Sequence, residues 1–165
     1  MAEKYLITKK DEVFILLTKK PNFALMSEGL LKKLIEKMKV SRYKKGDTIM
    51  KQGEVVKNFY IIIKGSASIY VDDTFIYSLK QPGDVIGEIS FLTGSVSTAA
   101  VIAENELGLV EITYDFLSHL NNVEFGLWLS RILGEKLIRT LNIKRLKPEK
   151  LSEVVEAPIS NTTDP

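Results

Sequence analysis

The chain has 165 residues and a mass of 18.6 kDa, a length that suits one domain and can bury roughly 70% of its unfolded surface. It is 45% hydrophobic and 27% charged, with no Cys and a single His, His119; this excludes disulfides, thiolate metal sites, thiol nucleophiles and any site needing two or three His ligands. No apolar run reaches about 18 residues, so no membrane-spanning helix is expected, and Met1-Ala2-Glu3-Lys4-Tyr5 opens no signal-peptide pattern, which makes the cytoplasm the expected compartment.

The net charge of +2 hides an asymmetry. Residues 1–45 carry 12 basic and 5 acidic side chains, residues 46–146 carry 9 and 12, and residues 147–165 carry 2 and 4. The basic segment reads either as a solvated helical face or as a surface for an acidic partner. Its cations are mostly Lys with few aromatics between them, a poor pattern for nucleic-acid binding.

The first 45 residues read as helical. Asp11-Glu12 opens one helix and Lys19-Lys20 closes it, the charge order a helix dipole favours, and Pro21-Asn22 breaks it. Ser27 is placed to cap a second helix over 28–39, where Leu30, Leu31, Leu34, Ile35 and Met38 form one apolar stripe. Six of the ten glycines then fall between residues 46 and 94, separating short β-type runs. The clearest strand is 59–63; others are expected at 66–71 and 74–79, joined by the tight-turn pair Asp72-Asp73, and at 98–103 and 107–112. Gln81-Pro82-Gly83-Asp84 reads as a further turn. Many short strands with frequent turns indicate a sandwich or a jelly-roll-like barrel. Thr113 can cap a short helix over 114–120, and Asn121 or Asn122 a longer one reaching about Arg145, whose apolar surface is wider than one core-facing stripe requires. The last 18 residues, from Pro148, read as an acidic, disordered tail.

The segment 82–94 carries the chemical signal. A strand ends at Gly87 and a helical turn starts at Glu88, so unpartnered backbone N–H groups point outward and Gly87 permits close approach of a phosphate. Glu88 can accept hydrogen bonds from sugar hydroxyls. Phosphate donors beside a sugar acceptor suggest a nucleotide; the bland alternative is an ordinary turn.

Order and spacing carry this further. The runs Tyr43-Lys44-Lys45-Gly46-Asp47-Thr48-Ile49, Lys51-Gln52-Gly53-Glu54, residues 58–65 and Pro82-Gly83-Asp84-Val85-Ile86-Gly87-Glu88-Ile89 resemble the cyclic-nucleotide-binding domain family, of the catabolite activator protein and protein kinase A regulatory subunit type. Pro21 to Ser27 resembles its helical lead-in, and the likeness covers about residues 12–145. The resemblance implies an α+β fold: an eight-stranded β-roll (double-stranded β-helix or jelly roll) over 40–112, N-terminal helices over 11–39 and C-terminal helices over 113–146, together one domain of residues 1–146, followed by the tail 147–165. It implies a phosphate-binding cassette from Gly87 to about Ala99, with ligand contacts from Ile86, Gly87, Glu88, Ile89, Ser90, Ser97, Thr98 and Ala99. Gly87 and the N–H groups near Ile89 and Ser90 would meet the cyclic phosphate, Glu88 would hold the ribose 2′-hydroxyl, and the long C-terminal helix would move to cover the base.

One departure stands out. Ser97 occupies the place of the family's cassette Arg, and Thr98 follows where an Ala or Ser is usual. A charge-assisted bond contributes about 1.5–3 kcal/mol, so its loss weakens binding on the order of 10- to 150-fold unless a Lys such as Lys51, Lys64 or Lys80 compensates. Only Arg42, Arg131, Arg139 and Arg145 are arginines, and none lies in the expected pocket.

Two readings therefore stand side by side. The first is a stand-alone regulatory sensor for a cyclic nucleotide (cAMP, cGMP or a cyclic dinucleotide), with no other cofactor and no metal, signalling by movement of the C-terminal helix. The second is a degenerate β-roll that binds no nucleotide and serves as a protein-interaction module. Catalysis is not expected: one His supplies no cupin-type metal site, and His119 reads as a surface residue. A protein partner is expected, a homodimer through the C-terminal helix is favoured by its wide apolar surface, and direct DNA binding is not expected from the short acidic stretch after Arg145.

Overall fold

The computed structural model describes residues 9–120 and 122–140, the last two as helix backbone. The expected tail 147–165, the helical stretch beyond residue 140 and the capping alternative Asn121 lie outside the described residues. Two compact units divide at Ile132/Leu133; the second is described only as the C-terminal end of one helix.

Helix α1 spans Lys10–Thr18, followed by a 3-10 turn at Pro21–Phe23, and α2 spans Glu28–Glu36. Ser27 caps α2 through its hydroxyl, which accepts from the Leu30 N–H at 3.3 Å. Leu30, Leu31, Leu34 and Ile35 are buried along one side, as their spacing requires.

Eight strands follow: β1 Lys39–Tyr43, β2 Thr48–Met50, β3 Asn58–Lys64, β4 Ala67–Val71, β5 Thr74–Leu79, β6 Val85–Ile86, β7 Ala100–Ala103 and β8 Leu107–Thr113. They form two antiparallel four-stranded sheets in the orders β1-β8-β3-β6 and β2-β7-β4-β5. The expected β-roll is present. Asp72 and Asp73 both take positive φ, 48° and 58°, the type I′ geometry that matches strand twist in a two-residue hairpin. Two short helices, α3 Glu88–Thr93 and α4 Tyr114–His119, and a longer one, α5 Val123–Thr140, complete the order. Thr113 caps α4 by accepting from the Phe116 N–H at 3.3 Å, and Asn122 accepts from the Phe125 N–H at 3.0 Å.

Alternation along β3 divides the core in two. Tyr60 and Ile62 face inward, meeting Ile69, Leu79, Val101 and Leu109 between the sheets. Phe59, Ile61 and Ile63 face outward against the helices. A central strand buried on both faces explains why 59–63 is apolar without interruption. On the helix side, Trp128 is 1% exposed and packs against the rings of Phe23, Phe59 and Phe125, with its indole N–H donating to the Asn22 carbonyl. That contact holds the start of α5 and the 3-10 turn on the same core.

Candidate functional site

Strand β6 delivers the chain to the cassette. Ile86 ends the strand inside the β-roll core, 2% exposed. Gly87 then takes φ 92° and ψ 0°, a left-handed conformation that begins α3. Its surroundings demand glycine twice over. A Cβ there would lie 2.9 Å from the Asn58 carbonyl oxygen and 3.0 Å from the Tyr114 hydroxyl. The Gly87 carbonyl accepts from the Phe91 N–H at 3.0 Å and from the Tyr114 hydroxyl.

Glu88, first in α3, is buried at 3% exposure. Its carboxylate lies close enough to raise the Tyr114 phenol above its ordinary value; burial of that hydroxyl is the larger cause, Glu88 the next and Tyr60 the third. Ile89 faces solvent, whereas Ser90 is buried and donates to the Val96 carbonyl at 3.4 Å, tying the two ends of the cassette together. A second left-handed glycine, Gly94 at φ 65°, ends α3.

Ser97 is buried at 2% exposure. Its hydroxyl donates to the Ala99 carbonyl at 2.6 Å, its N–H donates to the Glu54 carbonyl at 2.9 Å, and its carbonyl accepts from the Gly53 N–H at 2.8 Å. Thr98 is exposed and Ala99 half-buried against the inner core. Gly87, Glu88, Ser90 and Ser97 are all buried, whereas Ile89 and Thr98 are exposed.

The loop between β2 and β3 runs beside Gly87 and Ser97. Besides its bonds to Ser97, it places Val56 Cγ1 3.7 Å from the Cβ position at Gly87. A cleft of about 200 Å³ opens here. Ile49, Met50, Val56 and Tyr60 form its apolar side, all packed on the inner core. Lys51, Glu54, Lys57 and Asn58 also border it. Of the three lysines offered by the sequence as substitutes for the cassette Arg, Lys51 is at this cleft. Lys64 pairs with Glu106 at 3.3 Å at the other end of β3, roughly 20 Å along the strand. Lys80 lies near Glu104. Sequence reasoning missed Lys57 and Tyr114. Lys57 directly precedes the 58–65 run and could have been found from that adjacency; nothing in the sequence signals that the Tyr114 hydroxyl reaches Gly87.

Two aromatic contacts join the cassette to the helices. Phe91 of α3 lies 5.1 Å from the Tyr114 ring of α4 and 6.2 Å from the Phe125 ring of α5. His119 sits at the exposed end of α4, its Nδ1 2.7 Å from the Asp115 carbonyl. Among the described residues, no helix is long and apolar enough to cross a membrane.

The eight-stranded β-roll fits a family pattern: the Cyclic nucleotide-binding domain matches residues 40–122. The chain belongs to that family. It is 26% identical over 138 residues to a cGMP-dependent protein kinase of Plasmodium berghei, a match covering 83% of this chain and 16% of the kinase. The regulatory domain of Toxoplasma gondii protein kinase A, solved with cAMP, superposes with a TM-score of 0.67 at 20% identity, over 76% of this chain and 50% of that one. A triple mutant of the regulatory subunit of a cAMP-independent protein kinase A from Trypanosoma brucei, with Arg in place of a Thr among its changes and cAMP bound in its A site, superposes at 0.61 and 20% identity, over 89% and 52%. The chain spans less than a fifth of the length of the curated relatives it matches. It has the β-roll fold of a cyclic nucleotide-binding regulatory domain.

Proposed function

We propose that this domain is a non-catalytic sensor for a cyclic nucleotide, held by a cassette without the usual Arg and signalling through the C-terminal helices. The observation that carries this reading is the retained Gly87-Glu88 step: a left-handed position that only a residue without Cβ can occupy, followed by a buried carboxylate near the Tyr114 hydroxyl. Gly87, Ser90 and their neighbouring N–H groups are assigned to the phosphate, Glu88 to the ribose, and Ile86, Ile89, Ser97, Thr98 and Ala99 to the remaining contacts. The Phe91–Phe125 contact supports a route from cassette to α5, because a shift of α3 on binding must repack that pair.

A second reading, a β-roll acting on a protein partner without a nucleotide, is favoured by Ser97. Its hydroxyl is committed to the Ala99 carbonyl and supplies no positive charge. The Trypanosoma brucei relative described as cAMP-independent supports the same direction.

Calorimetric titration with cAMP, cGMP and cyclic dinucleotides separates the two readings. Saturable heat with one of them is the expected result; silence at millimolar concentrations of all would overturn the sensor reading. Ser97→Arg is expected to tighten cAMP binding about tenfold or more, the effect of one charge-assisted bond. Unchanged affinity would show that Ser97 does not face the phosphate.

A further inference from the structure

A phosphate placed against the cassette meets no cation there, because residues 81–130 contain neither Lys nor Arg. Any positive partner must come from a neighbouring element. The element that bonds to one end of the cassette and runs beside the other is the β2–β3 loop, which leads into β3 at Asn58. At one end Gly53 N–H donates to the Ser97 carbonyl, and Ser97 N–H donates to Glu54. At the other, the Asn58 carbonyl and Val56 stand against Gly87.

Lys51 and Lys57 bracket that loop, and both border the cleft. Their circumstances differ. Lys51 pairs with Glu54 at 3.4 Å, both side chains more than half exposed, so part of its charge is already met. Lys57 is exposed and forms no ion pair with any other described residue. Its backbone is fixed instead: the Lys57 carbonyl accepts from the Tyr114 N–H at 2.8 Å. The cleft therefore combines an apolar wall of Ile49, Met50, Val56 and Tyr60 with a cationic edge beside the cassette. That combination suits a ligand with a flat, weakly polar ring and a negative group.

Resting on the cyclic-nucleotide reading, we infer that Lys57 supplies the counter-charge for the ligand's phosphate in place of the cassette Arg, with Lys51 as a weaker second. A flexible ammonium acts as a point charge, where an Arg would form a bidentate fork. Recognition here depends less on phosphate geometry and more on ionic strength than it would with Arg.

The test is calorimetry on the full chain with cAMP, cGMP and a cyclic dinucleotide, comparing wild type with Lys57→Met, Lys51→Met and, as a remote control, Lys32→Met. Circular dichroism melts accompany each variant to verify folding. The expected result is about tenfold weaker binding for Lys57→Met, a smaller loss for Lys51→Met and none for Lys32→Met. Adenosine and guanosine, which lack the phosphate, are expected to bind at least tenfold more weakly than the nucleotides. Wild-type nucleotide binding that Lys57→Met leaves within twofold would overturn the inference and leave the nucleotide reading standing. Nucleosides binding as tightly as nucleotides would also overturn it, since the charge would then be unused. Silence of the wild type toward every nucleotide would overturn both.

Discussion

Gly87 joins two constraints at one residue. Its φ of 92° is strained for any side chain, and the nearest obstacle to a Cβ is the Asn58 carbonyl, which belongs to the central strand and cannot swing aside. Gly87→Ala is accordingly expected to lower stability by about 2–3 kcal/mol and to abolish ligand response in the cassette; thermal melts and calorimetry on the same preparation measure both. Glu104 makes a different kind of contribution. Hydroxyls of Ser68, Ser78 and Ser66 hold its pKa at about 2 against burial, which acts the other way, and nearby Lys80 lowers it slightly further. A carboxylate lowered on folding stabilises above its unfolded value of 4.5 and loses that contribution as pH falls from there toward about 2. Glu104→Gln is expected to be less stable than wild type at pH 7 by about 1 kcal/mol, one charge-assisted bond exchanged for a neutral one. The difference in Tm should close as pH falls through that window; a constant gap would mean packing, not charge, is lost. The break at 104–106 between the strands expected at 98–103 and 107–112 was visible in the sequence, but the three serines that converge on Glu104 come from β4, β5 and the loop before β4. Their meeting depends on pairing that periodicity cannot reveal.

At the scale of elements, the strands with clear apolar runs were legible: 59–63 and 74–79 fall within or on β3 and β5. Helix caps were legible too, because Ser27, Thr113 and Asn122 act locally. The short strands β1, β2 and β6 were not resolved from periodicity, since two to five residues hold too few alternations to count; they entered only within the family motifs. The second helix ends at Glu36, earlier than its apolar stripe suggested, because Lys39 onward is recruited into β1 against β8. The glycines that bound α3, Gly87 and Gly94, were legible as a pattern, but the attachment of this segment to α4 was not. There the Tyr114 hydroxyl donates to Gly87 while its ring meets Phe91, so the first turn of α4 and the start of α3 are fastened at one point. Tyr114→Phe keeps the ring contact and removes only the hydrogen bond. It is expected to cost about 1 kcal/mol and to speed amide exchange of α3 relative to β3. Equal exchange in both elements would place the bond's effect elsewhere.

The molecule as a whole carries two hydrophobic cores on opposite faces of one sheet, and α5 enters the outer one with Phe125, Trp128, Leu129 and Ile132. Those four account for one side of the helix's N-terminal half. Val123 and Leu127, one turn apart, are 80% and 69% exposed. This is the surplus apolar surface that the sequence suggested, now located on the side of α5 turned away from the core. Single exposed apolar residues are ordinary, but adjacent turns of one helix form a strip that a second copy can cover by an isologous contact. We therefore expect the chain to dimerise through this side of α5 at high micromolar concentration, with Leu127→Lys shifting it to monomer. Because Leu127 contacts neither the cassette nor the inner core cluster, nucleotide affinity per chain should remain within a few-fold. Sedimentation equilibrium of both forms decides the matter. A monomeric wild type rejects dimerisation, and a dimer that Leu127→Lys leaves intact transfers the interface to another surface, of which the exposed lysines of α2 make the basic candidate; high salt would then dissociate it, whereas an apolar α5 contact persists.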